Sequence, residues 1–480
     1  SPSTRAVVGD FCQAFGAQHF SWEALSHGDV LAGQKASYGE ALVPFYRFDK
    51  ADVIVSIDAD FLGTWMLPTT YTKQFSAGRK NIKEMNKLVV FDSNYSLTGA
   101  NADVRVRIKP SQQIAVVMGL AHEIAIKKSF GKFAGNATVK AALDPFANVA
   151  QDLKMEAALF ARIADDLIHS KGKSLVVAGG LAAGTEQAKE LQIAVNFLNS
   201  ALDNEGSTVD STHQLAGVSA ADTEIMQLTE ALKKGSVKTL IIHGVNPFYS
   251  VPQSVGFAEA MKKAEMVIYT GDRQDETGAY ANYIIPDHHA LENWGDAEIV
   301  KGLYSIHQPT IRPMYDTRSF QLSLMTWGFL AKKGPKRLQT FETYYDYLRD
   351  FWKTDVHPKL GKGQGFEDFW NEVLQNGFVG SIDGSVATRS FKTEALSTVK
   401  KSNNKSGFEL VLYPTIALGD GKLANVAWLQ ELPDPVTKIC WDNYVSMAIA
   451  TAEKMKVKEG HLIELVIGSQ KMTLPAHIQP

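Results

Sequence analysis

Asp275 to Pro286 reads DETGAYANYIIP, with Asp272 just ahead of it. Acid groups and a hydroxyl packed this closely at Asp275, Glu276 and Thr277 could hydrogen-bond a polar ligand. The preceding KKAEMVIYTGDRQ has the apolar centre of a buried strand at Val267–Thr270, and a second apolar run, NYIIP, follows. Ligands of open α/β sheets collect just outside the carboxyl ends of strands, which is where these residues fall. HGVNPF (243–248) ends another strand in an Asn-Pro turn, where Asn246 either bonds a ligand or caps the turn. VVAGGLAAGTEQ contains Gly179 and Gly184 and runs strand, glycines, helix, an order that aims backbone N–H groups at an anion. It matches neither GxGxxG nor the Walker pattern and has no lysine in the phosphate position, so it also reads as a plain tight turn.

The other candidates are thinner. His288 and His289 are neighbours and point to opposite faces of an extended chain, so they are no metal pair. Glu292 is a lone carboxylate without a visible acid–base partner. There is no GxSxG elbow and no HExxH. With only Cys12 and Cys440, the chain cannot supply the roughly four thiolates of an iron–sulfur cluster, and both read as plain buried thiols. A net charge of −3 argues against nucleic acid as a partner. No apolar run approaches a membrane span of about eighteen residues. The chain opens on Ser1 rather than Met, as a fragment or processed product would.

The elements that must position these groups alternate strand and helix. ADVIVSID (51–58) and KLVVFDS (87–93) read as buried strands, and the alternating VRVRI (104–108) as an edge strand. Ile114 to Ile124 and Leu153 to Leu167 carry helical spacing. A second cycle starts with SLVVA (174–178), continues through a helix over 187–202, and adds KTLIIHG and the strand before DETG. This pattern predicts parallel, doubly wound sheets. FETYYDYLRDFW and FEDFWNEVL read as amphipathic helices with aromatic faces; beyond the linker KSNNKSG, the segments FELVLYPTIALG, HLIELVIG and QKMTLPAHIQP read as strands. The expected division is a first α/β domain over 1–170, a second over 171–400, and an incomplete β-barrel module over 405–480.

The order of these segments resembles the molybdopterin oxidoreductase family of the dimethyl sulfoxide reductase type. An NP turn, an ET-A-AD-LP-E-G progression and a C-terminal barrel find counterparts in Asn246-Pro247, Glu276-Thr277, Ala281-Asn282, Ile285-Pro286, Glu292 and Gly295. YRFDKADVIVSIDADFLGTW, TKQFSAGRK and WLQELPDPVTKICWDN are more similar to the molybdopterin-like part of the iron–sulfur subunit of alternative complex III.

That resemblance implies a role in a membrane-associated respiratory quinol oxidoreductase, on the periplasmic side and peripheral to the inner membrane. Iron–sulfur clusters would lie in another part of the full protein. An iron–sulfur domain, cytochrome c and quinol-oxidising membrane subunits would be the partners. Active relatives hold their metal through Cys, selenocysteine, Ser or Asp early in the chain; the matching stretch here is QHFSWEALSHGDVLAGQKASYGE, with Ser26 and no cysteine. Asn282 replaces the usual Asp, and Asp296 stands where Thr is common. The expected function is therefore a scaffold without its own cofactor. Gly179, Gly184, Asn246, Asp272, Glu276 and Thr277 would form a vestigial pterin-nucleotide site, and Ser26 would cap the helix near His27. The alternative is an active molybdenum or tungsten enzyme carrying molybdopterin guanine dinucleotide, with Ser26 as metal ligand. A nucleotide-binding module without redox role rests on the Gly-rich turn alone.

Overall fold

Buried apolar runs become strands because only paired backbone can enter a core without orphaned N–H and C=O groups. The computed structural model of the chain describes residues 1–180, 187–218, 221–402, 407–441 and 443–479. Contacts gather it into two units, one of Ser1–Tyr46 with Val209–Ser390, the other of Arg47–Thr208 with Phe391–Pro480. The expected division followed chain order, whereas these units are each made of two separated stretches.

After β1 (Phe45–Tyr46) the chain forms β2 (Val53–Ile57), β3 (Lys87–Asp92), β4 (Val104–Arg107) and β5 (Ser174–Ala178). The last four make one parallel sheet in the order β4-β3-β2-β5. Every residue of β2 and of β5 is buried, as both-face coverage of a parallel sheet requires. Helix Gln113–His122, buried along its whole length, packs on helix Ala188–Ala201. β4 is the edge strand that its alternation predicts. β5 was expected to open a second domain, but it pairs with β2 and closes the first sheet. The helix expected through Leu153 is interrupted: one ends at Asp152, the next starts at Ala157, and Lys154 between them has φ 54°.

In the other unit, β6 (Val209–Asp210) pairs antiparallel with β1. β7 (Thr239–His243), β8 (Met266–Gly271) and β9 (Tyr283–Pro286) form a second parallel sheet, in that order. Its core holds Leu240, Ile242, Val267 and Tyr269 against Ile225, Leu232 and Phe257. β10 (Gly295–Val300), β11 (Leu303–His307) and β12 (Phe378–Gly380) make an antiparallel meander. Ile306 of β11 packs on Leu348, Trp352, Phe369 and Trp370, from the aromatic stretches read as amphipathic helices.

Two residues that depart from the family pattern have structural work here. Asn282 accepts the Val267 N–H at 2.7 Å and donates its own N–H to the Val267 carbonyl, which starts the β8–β9 pairing. Asp296, 6% exposed, accepts from Ser1 Oγ (2.6 Å), Ser3 Oγ (2.8 Å), Ser3 N and Trp352 Nε1 (3.1 Å).

β13 (Val445–Ala448), β14 (Leu462–Ile467) and β15 (Gln470–Gln479) complete the strands, in the order β13-β15-β14. The sheet is open, with no closed barrel among the described residues. FELVLYPTIALG, expected as a strand, is irregular over its described residues, with Phe408 80% and Leu412 71% exposed.

Candidate functional site

Both parallel sheets carry polar side chains at their carboxyl edges. At the edge of β7-β8-β9, the Asn-Pro turn and the DET turn are tied together through Asn246. Its Nδ2 donates to Glu276 Oε2 at 2.7 Å, and its Oδ1 accepts from Thr277 Oγ1 at 2.7 Å. Thr277 is fully buried, and its hydroxyl also accepts the Phe248 N–H at 3.0 Å. The Asn246 bond holds the Glu276 carboxyl below its ordinary range. Asp275 accepts from Tyr269 Oη and from the Gly278 N–H, and burial together with that carboxylate pushes the Tyr269 phenol well up.

Asp272 stands apart from this set. It pairs with Arg273 at 2.7 Å on the surface, which lowers its proton affinity. Glu292, considered as an acid–base group, instead closes a turn: it accepts the His289 and Met314 N–H groups. His289 caps the same turn by accepting the Leu291 N–H, and His288 Nδ1 meets Thr317 Oγ1.

The edge of β4-β3-β2-β5 holds a cluster that the sequence reading did not single out. Asp58 and Asp60 follow β2, Asp92 ends β3, and Gly179–Gly180 follow β5. The strand order reverses between β2 and β5, the crevice where open α/β sheets take ligands. Asp58 accepts from Ser93 N (2.8 Å), Ser93 Oγ and Gln113 Nε2; Asp60 accepts from Thr98 N and Oγ1; Asp92 accepts from Arg105 Nε (2.9 Å).

Burial raises the proton affinity of all three carboxyls. For Asp92, 2% exposed, burial outweighs the opposing Arg105 charge and carries the pKa to about 7. Gly99 is required beside it, since a Cβ there would sit 2.4 Å from Asp92 Oδ2. Gly179 and Gly180 turn with φ 105° and 104°, and a Cβ on Gly180 would come 3.4 Å from the Asp58 carbonyl. Gly184 lies outside the described residues.

Ser93, Thr98, Gln113 Nε2 and Arg105 Nε each donate to a carboxylate of this cluster. In the other unit, Asn246 and Thr277 satisfy each other and their neighbours. No group of three His, Cys, Asp or Glu among the described residues could hold a metal ion. Ser26 is half-buried in the irregular segment before helix Gly28–Tyr38; the N-cap is His27, so Ser26 is not the cap expected. Cys12 and Cys440 are free thiols, half-buried rather than buried.

A profile of the molybdopterin oxidoreductase family matches residues 6–320, both sheet edges included. The chain belongs to the molybdopterin oxidoreductase family. Among relatives of this family member is the menaquinone reductase, molybdopterin-binding-like subunit of Nitratidesulfovibrio vulgaris, 24% identical over 346 residues. That match covers 67% of this chain and 49% of the relative, so the chain spans about half of that protein. The NADPH-Fe(3+) oxidoreductase subunit alpha of Geobacter sulfurreducens is 25% identical over 114 residues, 24% of this chain and 14% of the relative. In fold, this molybdopterin oxidoreductase family member is similar to acetylene hydratase from Pelobacter acetylenicus. The TM-score is 0.61 at 13% identity, over 94% of this chain and 72% of that one.

The signal for the missed acids is plain in retrospect. VIVSID and KLVVFD each end a mostly apolar run on an aspartate, which puts a carboxylate at the carboxyl edge of a buried strand.

Proposed function

We propose that this chain is a molybdopterin oxidoreductase-like scaffold of a respiratory quinone-linked oxidoreductase, without a cofactor of its own. The observation that carries this reading is that side-chain donors at both sheet edges are turned onto the protein's own acceptors. A pterin dinucleotide is an anion rich in acceptors and needs free N–H and O–H groups. Asn246 Nδ2, Ser93, Thr98, Gln113 Nε2 and Arg105 Nε donate to protein carboxylates, and Thr277 Oγ1 donates to the Asn246 side-chain carbonyl. The stretch matching the family's metal-ligand segment, 18–40, contains no cysteine. On this reading Gly179, Gly184, Asn246, Asp272, Glu276 and Thr277 are vestigial pterin-nucleotide positions, of which Asn246, Glu276 and Thr277 now hold the Asn-Pro and DET turns together.

The relatives named as a menaquinone reductase subunit and an iron(3+) oxidoreductase subunit support an electron-transport setting. Electron transfer would run through an iron–sulfur domain and cytochrome c, with quinol oxidised by membrane subunits. The location would be periplasmic and peripheral to the inner membrane, in keeping with the resemblance to alternative complex III. No helix among the described residues is long and apolar enough to cross a membrane.

The test is the metal and pterin content of the native protein purified gently from its membrane. Mass spectrometry counts molybdenum and tungsten per chain, and fluorescence of the oxidised extract reports pterin. The expected result is neither, with haem and iron–sulfur co-purifying. Near-stoichiometric metal with pterin would overturn the proposal. It would establish the alternative, a molybdenum or tungsten bis-pterin enzyme, and put Ser26 first in line as ligand.

A further inference from the structure

The helix Phe320–Ala331 (FQLSLMTWGFLA) is apolar nearly all the way round, yet only one face is covered. Phe320, Leu324, Met325 and Gly328 are buried, and Gly328 lets Leu338 pack so closely that a Cβ would stand 2.5 Å from its Cδ2. The last turn projects Phe329 (61% exposed) and Leu330 (71%) into solvent. Phe15, 39% exposed, belongs to the same unit and lies under Lys333 Nζ at 5.5 Å.

The unpaired charge that follows this apolar tip along the chain has one sign. Lys332, Lys333 and Lys336 follow the helix, all exposed, and no acidic residue occurs between Asp316 and Glu342. The adjacent Arg337 is paired with Asp10 and Asp355.

We propose that Phe329, Leu330 and Phe15, ringed by Lys332, Lys333 and Lys336, form a docking tip for an anionic lipid surface. Apolar side chains that enter the acyl boundary, with basic residues at headgroup level, make an interfacial anchor. Lysine suits this place because its long stem lies along apolar surface while its ammonium stays in water. A protein partner fits less well, since lysine is depleted where proteins bury surface against one another. The inference deepens the peripheral-membrane part of the proposed function, and its test reads the tip by itself.

The experiment is flotation of the whole chain with vesicles of phosphatidylcholine alone or with 30% phosphatidylglycerol (an arbitrary, roughly membrane-like fraction). Binding is expected only to the anionic vesicles, and weaker at high salt. The pair Lys332→Ala and Lys333→Ala should lower partitioning about 30-fold, from about 1 kcal/mol per basic residue. Phe329→Ala with Leu330→Ala should lower it by about tenfold or more. All four positions are exposed, so unchanged thermal melting serves as the folding control. Equal binding to neutral vesicles, undiminished binding by both variants, or no vesicle binding would overturn the docking tip. In the last case, loss of co-purifying subunits in the Phe329→Ala, Leu330→Ala variant would reassign the surface to a protein partner. The scaffold reading stands or falls separately, on metal and pterin content.

Discussion

Replacing Asp92 with Asn tests whether burial controls the acidic edge of the first sheet. Burial takes this carboxyl from 3.8 to about 7 despite Arg105 Nε at 2.9 Å. At about 1.36 kcal/mol per pKa unit, the ionised form costs the fold about 4 kcal/mol above pH 7. The folded value lies above the unfolded one, so the favourable contribution is complete below about pH 4. It is lost as pH climbs through the folded value near 7. Between pH 5 and pH 8 the cost grows by about 2.5 kcal/mol. Asn keeps the shape and removes the titration, so any loss of the Arg105 contact enters at both pH values alike.

The readout is hydrogen exchange of the β3 segment Leu88–Phe91, variant against wild type at matched pH, because unfolding of a chain with two units is not one transition. The ratio of variant to wild-type protection should rise roughly 60-fold from pH 5 to pH 8. A ratio that stays constant would mean that Asp92 keeps one protonation state across this range, and the burial argument would be wrong.

Thr277→Val should destabilise its unit by about 1–3 kcal/mol, since it orphans the Phe248 N–H and the Asn246 carbonyl oxygen; Thr277→Ser should cost less than about 1 kcal/mol. Thermal melting distinguishes the two, and equal losses would place the effect in the methyl group instead. Asp296→Ala strips the acceptor from Ser1, Ser3 and Trp352 together and should cost about 3 kcal/mol or more, read from the urea midpoint of tryptophan fluorescence. A loss below about 1 kcal/mol would show that water replaces the carboxylate.

What the sequence made legible follows from how local each signal is. β2, β3, β7 and β8 were readable because a buried strand writes itself as a short run of Val, Ile and Leu between polar residues. Which sheet SLVVA joins was not readable, since pairing between Val176 and Val55 is decided by packing far along the chain. FELVLYPTIALG has strand composition but pairs with no strand among the described residues, and composition alone does not supply a partner. Asn246, Glu276 and Thr277 were legible as strand-end residues one by one, and the family resemblance grouped them. That they satisfy one another was not, since side-chain directions come only with the fold. Asp58, Asp60 and Asp92 escaped notice because no single window of sequence holds all three.

The two-residue ribbon of β1 and β6 has a consequence for how the chain is made. Phe45 lies opposite Asp210 and Tyr46 opposite Val209, so the stretch Arg47–Thr208 leaves and returns at a ribbon of two residue pairs. On the ribosome, at roughly 5–20 residues per second, the first forty-odd residues wait on the order of ten seconds before their partners emerge. During that time the first sheet can assemble, while helix Pro2–Phe15 has no β10 to dock on. The interrupted unit has all its residues once Ser390 emerges, whereas the unit of the first sheet still awaits Phe391–Pro480. Tyr46 and Val209 already stand as neighbours, so a short turn between them would join β1 to β6, at the cost of parting Phe391–Pro480 from the rest of its unit.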